Sequence, residues 1–217
     1  MLPKDIPTVI RILKREYKRF RTPYVTEVAG RRKDPFKVLI SCIISLRTKD
    51  STTRASSTRL FNIADTPVAT AALSPRVIEE AIYPAGFYRT KARTIKNISN
   101  ELVKNGSKVP DEIDGLLKLK GVGRKTANLV VTMGFGKPGI CVDTHVHRIT
   151  NRWGFVKTKT PEQTERALKI RLDKRYWIMI NDLLVAYGQN VCVPVSPFCS
   201  RCGIYKYCER AGVKRQR

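Results

Sequence analysis

The stretch Leu117-Lys118-Leu119-Lys120-Gly121-Val122-Gly123-Arg124-Lys125-Thr126-Ala127-Asn128 reads as the end of one helix, a tight turn and the start of a second helix. Gly121 and Gly123 bracket one apolar residue, as a turn does where backbone takes positive φ or comes close to another group. Free N–H groups and the positive end of the summed peptide dipoles make a helix N-terminus favour an anion. Glycines at such a turn let a phosphate approach with no Cβ in the way. An ordinary helical turn with lysines for solubility would share the Gly-x-Gly pattern. With Lys120, Arg124, Lys125 and Thr126 around Gly121, Val122 and Gly123, the turn is expected to grip a nucleic-acid backbone without reading its bases.

The rest of the chain supports a polyanionic partner. Among 217 residues, 42 Lys and Arg stand against 18 Asp and Glu, a formal charge of +24. Such an excess opposes compaction by self-repulsion and suits nucleic acid. A membrane is disfavoured: the longest apolar run, residues 38–46, is interrupted by Ser41 and Ser45 and is too short to span a bilayer. Residues 6–20 carry charges throughout, so no secretory leader is expected and the protein is read as cytosolic or nuclear.

Proline punctuation implies an all-α protein with short connections. Asp34-Pro35, Thr66-Pro67, Ser74-Pro75 and Thr160-Pro161 each pair a capping side chain with proline at the first helical position. Helices are expected near residues 7–20, 35–46, 50–61, 67–73, 75–82, 90–105, 111–119, 124–133, 144–153, 161–172 and 176–187. Asp50 is expected to cap the third of these, and Thr160 with Gln163 to form a capping box. Strand-like alternation is scarce.

Two residues invite a chemical reading. Lys125 falls in the first turn after the glycines. On composition alone it would be one more phosphate contact. As a nucleophile it would have to be neutral, and neighbouring cations and a helix N-terminus are expected to disfavour its charged form. Asp143 sits where another helix begins, beside Thr144 and His145. Backbone N–H groups there would keep it ionised, able to stabilise a sugar cation or steer a proton. A plain N-cap explains Asp143 equally well, and spacing does not decide.

Six cysteines are present, and four crowd into Cys192-x6-Cys199-x2-Cys202-x5-Cys208. In a reducing compartment that clustering favours a metal site over disulfides, and ligand type alone admits either zinc or an iron–sulfur cluster. Cys42 and Cys141 lie in apolar contexts and are expected to be buried.

Three segments in order, residues 119–127, Val142-Asp143-Thr144-His145-Val146 and the four cysteines, resemble the endonuclease III family of helix-hairpin-helix DNA glycosylases over nearly the whole chain. The resemblance implies a two-lobed all-α fold: a helical barrel over residues 27–137 carrying the hairpin, and a discontinuous domain of residues 1–26 and 138–217 carrying a 4Fe–4S cluster on Cys192, Cys199, Cys202 and Cys208. It implies that Lys125 attacks C1′ of a damaged pyrimidine nucleotide with help from Asp143 across a cleft. A Schiff base forms, and β-elimination then nicks the strand. Relatives that remove mismatched bases or adenine tend to lack the lysine. The substrate would be duplex DNA with damaged bases or abasic sites, bound by a monomer. Chemistry at C1′ needs an extruded nucleotide. The resemblance makes Arg47 and Phe87 the residues that enter the duplex, while ordinary core packing would explain Phe87 almost as well; His145 and Arg148, near Asp143, are expected to touch the lesion strand. Lys120 stands where many relatives have proline. Two rivals remain: a mismatch or alkylbase glycosylase on this fold, and a non-catalytic DNA binder with structural zinc.

Overall fold

The computed structural model describes residues 1–32 and 34–217, with the side chains of Arg31 and Arg32 left out, and contains no strand among them. Helices α1 (Ile6–Tyr17), α2 (Tyr24–Arg32), α3 (Pro35–Ser45), α4 (Asp50–Ile63), α5 (Pro67–Ala72) and α6 (Pro75–Ile82) are followed by α7 (Tyr88–Lys104), α8 (Ile113–Leu117), α9 (Arg124–Leu129), α10 (Thr144–Arg152), α11 (Pro161–Arg171) and α12 (Trp177–Asn190). None of them is long and apolar enough to cross a membrane. The chain divides into two compact units, Tyr24–Lys137 and the combination of Met1–Pro23 with Pro138–Arg217.

The unit Tyr24–Lys137 is built around α3, buried from Val38 to Ile44 without a break. A helix apolar on every side needs partners on every side, and α2, α4, α7 and α9 pack against it. Asp34, Thr66 and Ser74 cap their helices as expected, with side-chain oxygens accepting from first-turn N–H groups. Each such cap is worth about 1 kcal/mol. Asp50 does not cap α4. Lys49 takes the N-cap position, and Asp50 Oδ1 accepts from Tyr24 N at 2.9 Å, tying the start of α2 to α4.

Helix α2 was not expected from the sequence. Thr22-Pro23 ahead of it repeats the cap-plus-proline signature, but β-branched Val25 and Thr26 and Gly30 weaken the helical pattern. The expected lobe boundary between residues 26 and 27 would cut this helix; the division falls before it, after Pro23.

The second unit packs the apolar face of α1 (Ile6, Val9, Ile10, Leu13) with residues of α10 and α12, around Trp153, Phe155 and Tyr187. Thr160 caps α11 through Gln163 N at 3.2 Å. The box closes one residue early, because Gln163 Oε1 accepts from Lys159 N at 2.8 Å. Cys42 and Cys141 are buried, one in each unit.

Candidate active site and cysteine centre

The hairpin is held from below and open above. Leu119 and Val122 are buried pegs, and the turn closes with Val122 N donating to Leu119 O at 3.0 Å. Gly121 has φ +93°, and a Cβ there would stand 2.5 Å from Thr94 Cγ2 on α7. Both facts demand glycine. Gly123, at the N-cap of α9, has extended backbone and nothing within 4 Å of where a Cβ would be. The space in front of it is therefore open to a ligand. Lys120, Gly121, Gly123, Arg124 and Lys125 are exposed, while α9 buries Thr126 through Leu129 at once.

Beyond Leu129 the helix loosens into a π-helical turn, Val130–Gly134, where Thr132 Oγ1 donates back to Asn128 O at 2.7 Å. Gly134 then packs against Pro35, 3.0 Å from its Cα to an added Cβ. An exposed first turn on a buried, locked helix fixes where Lys125 begins. The Lys125 cation lies close enough to the Cys42 thiol of α3 to lower its pKa, against the burial that pushes that thiol up to about 12.

In the other unit Asp143 is 7% exposed and caps α10, its Oδ1 accepting from His145 N at 2.8 Å and Val146 N at 2.9 Å. Arg148, one turn on, donates to Cys192 O at 2.8 Å and Gly188 O at 3.2 Å, and lies 3.1 Å from His145 Nδ1.

Two loops of Tyr24–Lys137 form a third feature. The α3–α4 loop carries Arg47 at φ +50°, and the α6–α7 loop carries Phe87 at φ +58°. Non-glycine residues pay strain to sit there, and such strain gathers at functional positions. The Arg47 guanidinium lies 5.6 Å over the Phe87 ring, and Phe87 is 63% exposed, as Tyr83 and Leu46 of the same two loops also are exposed. Phe87 is thus no core residue.

Cys192, Cys199, Cys202 and Cys208 line one cavity floored by Trp153, Tyr187 and Ile204. No three described His, Cys, Asp or Glu side chains close on a point as a single ion would need. Donors reach the sulfurs: Arg152 Nη1 donates to Cys192 Sγ at 3.3 Å, Arg210 N to Cys208 Sγ at 3.4 Å, and Tyr187 Oη lies 3.2 Å from Cys202 Sγ. Burial raises the thiols of Cys199, Cys202 and Cys208, the last to about 11. Thiolates here would need a positive partner, and N–H···S contacts with a ring of four sulfurs suit a metal–sulfur group.

The model of the HhH-GPD superfamily of base excision DNA repair proteins matches residues 40–174. The chain is 49% identical to an endonuclease III of Thermotoga maritima over 81% of its own length and 83% of the relative's. It belongs to the endonuclease III family. Its fold matches that of an endonuclease III solved in a non-covalent complex with DNA, with a TM-score of 0.84, 30% identity, and 97% and 96% of the two chains covered. A second solved structure, a trapped endonuclease III–DNA covalent intermediate, matches with the same TM-score and identity and with 97% of each chain covered.

For an endonuclease III fold, the residues singled out in the sequence fall into distinct environments. Gly121, Gly123, Lys120, Arg124 and Lys125 share one exposed turn, and Arg47 joins Phe87. Val122 and Thr126 are buried, so their side chains support the hairpin from within and do not reach out to DNA. Arg148 is spent on carbonyls at the end of α12 and the start of the cysteine loop, which makes it a strut between them. Sequence reasoning passed over Lys91 and Thr48, which knit the two strained loops together.

Proposed function

We propose that this protein is a DNA glycosylase and abasic-site lyase that removes oxidised pyrimidines from duplex DNA and cleaves the strand by β-elimination. The observation that carries this reading is Lys125, an exposed lysine on the first turn of a buried helix behind an open glycine turn, in a chain of the endonuclease III family. A covalent protein–DNA intermediate, of the kind trapped for a relative, requires a nucleophile.

The hairpin holds phosphates through Gly121–Gly123 and the cations beside them. Arg47 and Phe87 enter the stack and fill the space of the extruded nucleotide. The neutral Lys125 Nζ attacks C1′, and the bond from C1′ to the base breaks with its electron pair leaving on the base, which takes up a proton. The Asp143 carboxylate stabilises the positive charge developing at the sugar and accepts the proton lost from the new C1′–N bond. In ring opening the nitrogen lone pair forms an iminium at C1′ while the C1′–O4′ electron pair leaves on O4′, which takes up a proton. Loss of a C2′ proton then expels the 3′ phosphate from C3′, and water hydrolyses the iminium to free Lys125.

A 4Fe–4S cluster held by Cys192, Cys199, Cys202 and Cys208 would cross-link the end of α12 to the loop that follows. Four cysteines lining one cavity, with N–H donors reaching their sulfurs, offer the four thiolates that such a group needs. Iron in elemental analysis is expected; zinc without iron would sink the assignment. The protein is expected to act as a monomer in a compartment that holds DNA.

The deciding experiment is borohydride trapping on duplex bearing thymine glycol or an abasic site. A covalent adduct is expected from the wild type and none from Lys125→Gln. An equal adduct in the variant would remove Lys125 from its role, and no adduct in either protein would favour a non-catalytic binder or a glycosylase without lyase activity.

A further inference from the structure

Lys91 is 6% exposed, and no described carboxylate pairs with it. A buried ammonium without a counter-charge is costly, so its neutral partners are informative. Lys91 Nζ donates to Ile44 O at 2.6 Å, to Leu46 O and to Thr48 Oγ1 at 2.8 Å. Two of these acceptors flank Arg47 on either side. Meanwhile the backbone N–H of Lys91 donates to Phe87 O at 3.0 Å. One residue thus grips both strained positions, Phe87 by its main chain and the neighbours of Arg47 by its side chain.

The clamp is completed at Thr48, whose Oγ1 also accepts from Gly86 N at 3.1 Å. Gly86 comes so near the other loop that a Cβ would stand 2.6 Å from Arg47 O. Capping the carboxyl end of α3 would account for the carbonyls of Ile44 and of Leu46, its C-cap, but would leave the contact to Thr48 Oγ1 without purpose. Two bonds, to Leu46 O and Thr48 Oγ1 on either side of one strained, exposed residue, describe a mount for that residue.

We propose that Lys91, with Thr48, is a positioning residue that locks the α3–α4 and α6–α7 loops into one rigid wedge and so governs extrusion of the damaged nucleotide without touching the chemistry at Lys125. This rests on the reading of Arg47 and Phe87 as the residues that enter the duplex. A wedge that must unstack a base does so only if its mount does not yield, because unstacking costs about a few kcal/mol. The ammonium supplies three donors to three fixed oxygens. Methionine keeps the stem and loses all of them, whereas arginine keeps the cation and several donors.

The test compares single-turnover excision of thymine glycol placed in fully paired duplex or in an unpaired bubble, where the unstacking cost is already relieved. Lys91→Met is expected to lower the paired-to-bubble rate ratio by about tenfold or more. Lys91→Arg should recover most of it, and fluorescence of 2-aminopurine beside the lesion should lose its extrusion phase in Lys91→Met alone. Thr48→Val, which removes the shared acceptor and keeps the shape, should lower the ratio in the same direction; it serves if Lys91→Met fails to fold.

An unchanged ratio in both Lys91→Met and Thr48→Val, or equal loss on both substrates, would overturn the proposal. Arg47→Ala and Phe87→Ala separate its failure from that of the reading beneath it. If these lower the ratio and the Lys91 and Thr48 variants do not, only the clamp is wrong. If they leave it unchanged, the wedge reading itself falls.

Discussion

Asp143 shows how one side chain can serve folding and chemistry, and how to separate the two. Its Oδ1 caps α10 with two bonds to backbone N–H groups. Asparagine caps as well as aspartate does, but carries no charge. Asp143→Asn is therefore expected to keep stability within about 0.5 kcal/mol and DNA affinity near wild type, while excision drops by about 100-fold or more. Asp143→Ala should in addition cost about 1 kcal/mol of stability. Urea denaturation beside single-turnover kinetics would show it, and full turnover in the asparagine variant would leave Asp143 a cap only.

Lys91 makes a prediction at the same scale, with a definite sign. Burial pulls its ammonium from an ordinary 10.5 to about 8 in the folded protein. Between those values the unfolded chain holds the proton and the folded chain does not, so this group's contribution to stability rises with pH across that window. Below about pH 8 the cost of the buried charge is present in full. The difference in unfolding free energy between wild type and Lys91→Met should accordingly move in favour of wild type from pH 8 to pH 10. A flat difference would mean the ammonium is not perturbed.

The hairpin behaves as an element because its two glycines have different reasons to be glycine. Gly121 is required by the fold: positive φ and a 2.5 Å clash with Thr94 Cγ2 both penalise a side chain. Gly123 has extended backbone and open space, so the fold tolerates alanine there at about 0.5 kcal/mol. Gly121→Ala is expected to destabilise by about 1–3 kcal/mol. Gly123→Ala should stay close to wild type in stability and still bind duplex DNA several-fold more weakly, because the added methyl would fill the open space where the proposed function places a phosphate. Thermal unfolding with a DNA titration at fixed salt distinguishes the two, since electrostatic affinity shifts steeply with ionic strength. Equal affinity in Gly123→Ala would put the phosphate elsewhere.

At the scale of the whole molecule, the chain carries its hairpin and its cysteine centre in different compact units. Stability supplied by a cluster should accordingly be local. Cys202→Ser, or removal of iron, is expected to raise hydrogen exchange at the end of α12 and through residues 192–208. Amides of α3 and α9 should stay protected, because these helices pack against α2, α4, α7, α8 and each other within Tyr24–Lys137. Mass-spectrometric exchange on the two forms would reveal it; uniform loss of protection would show that the units unfold together.

Much of this was legible in the chain itself. Helical class, most caps, the glycine turn and the ring of cysteines follow from local rules: which side chain can accept from an N–H, which residue tolerates positive φ, which spacing brings thiols together. Asp34, Thr66, Ser74, Asp143 and Thr160 cap where their sequence neighbours say they should. Asp50 and α2 were not legible, because Asp50 bonds Tyr24 N from 26 residues away and α2 has only a weak local pattern. The same limit hid the roles of Val122, Thr126, Arg148 and Lys91. A lysine in a basic chain looks like a surface charge until the fold closes over it. The sequence by itself determined what each residue could offer, since donors, charges and backbone freedom belong to the residue type. Only the tertiary structure decided which offers are taken up, because burial and the meeting of distant loops depend on packing over the whole unit.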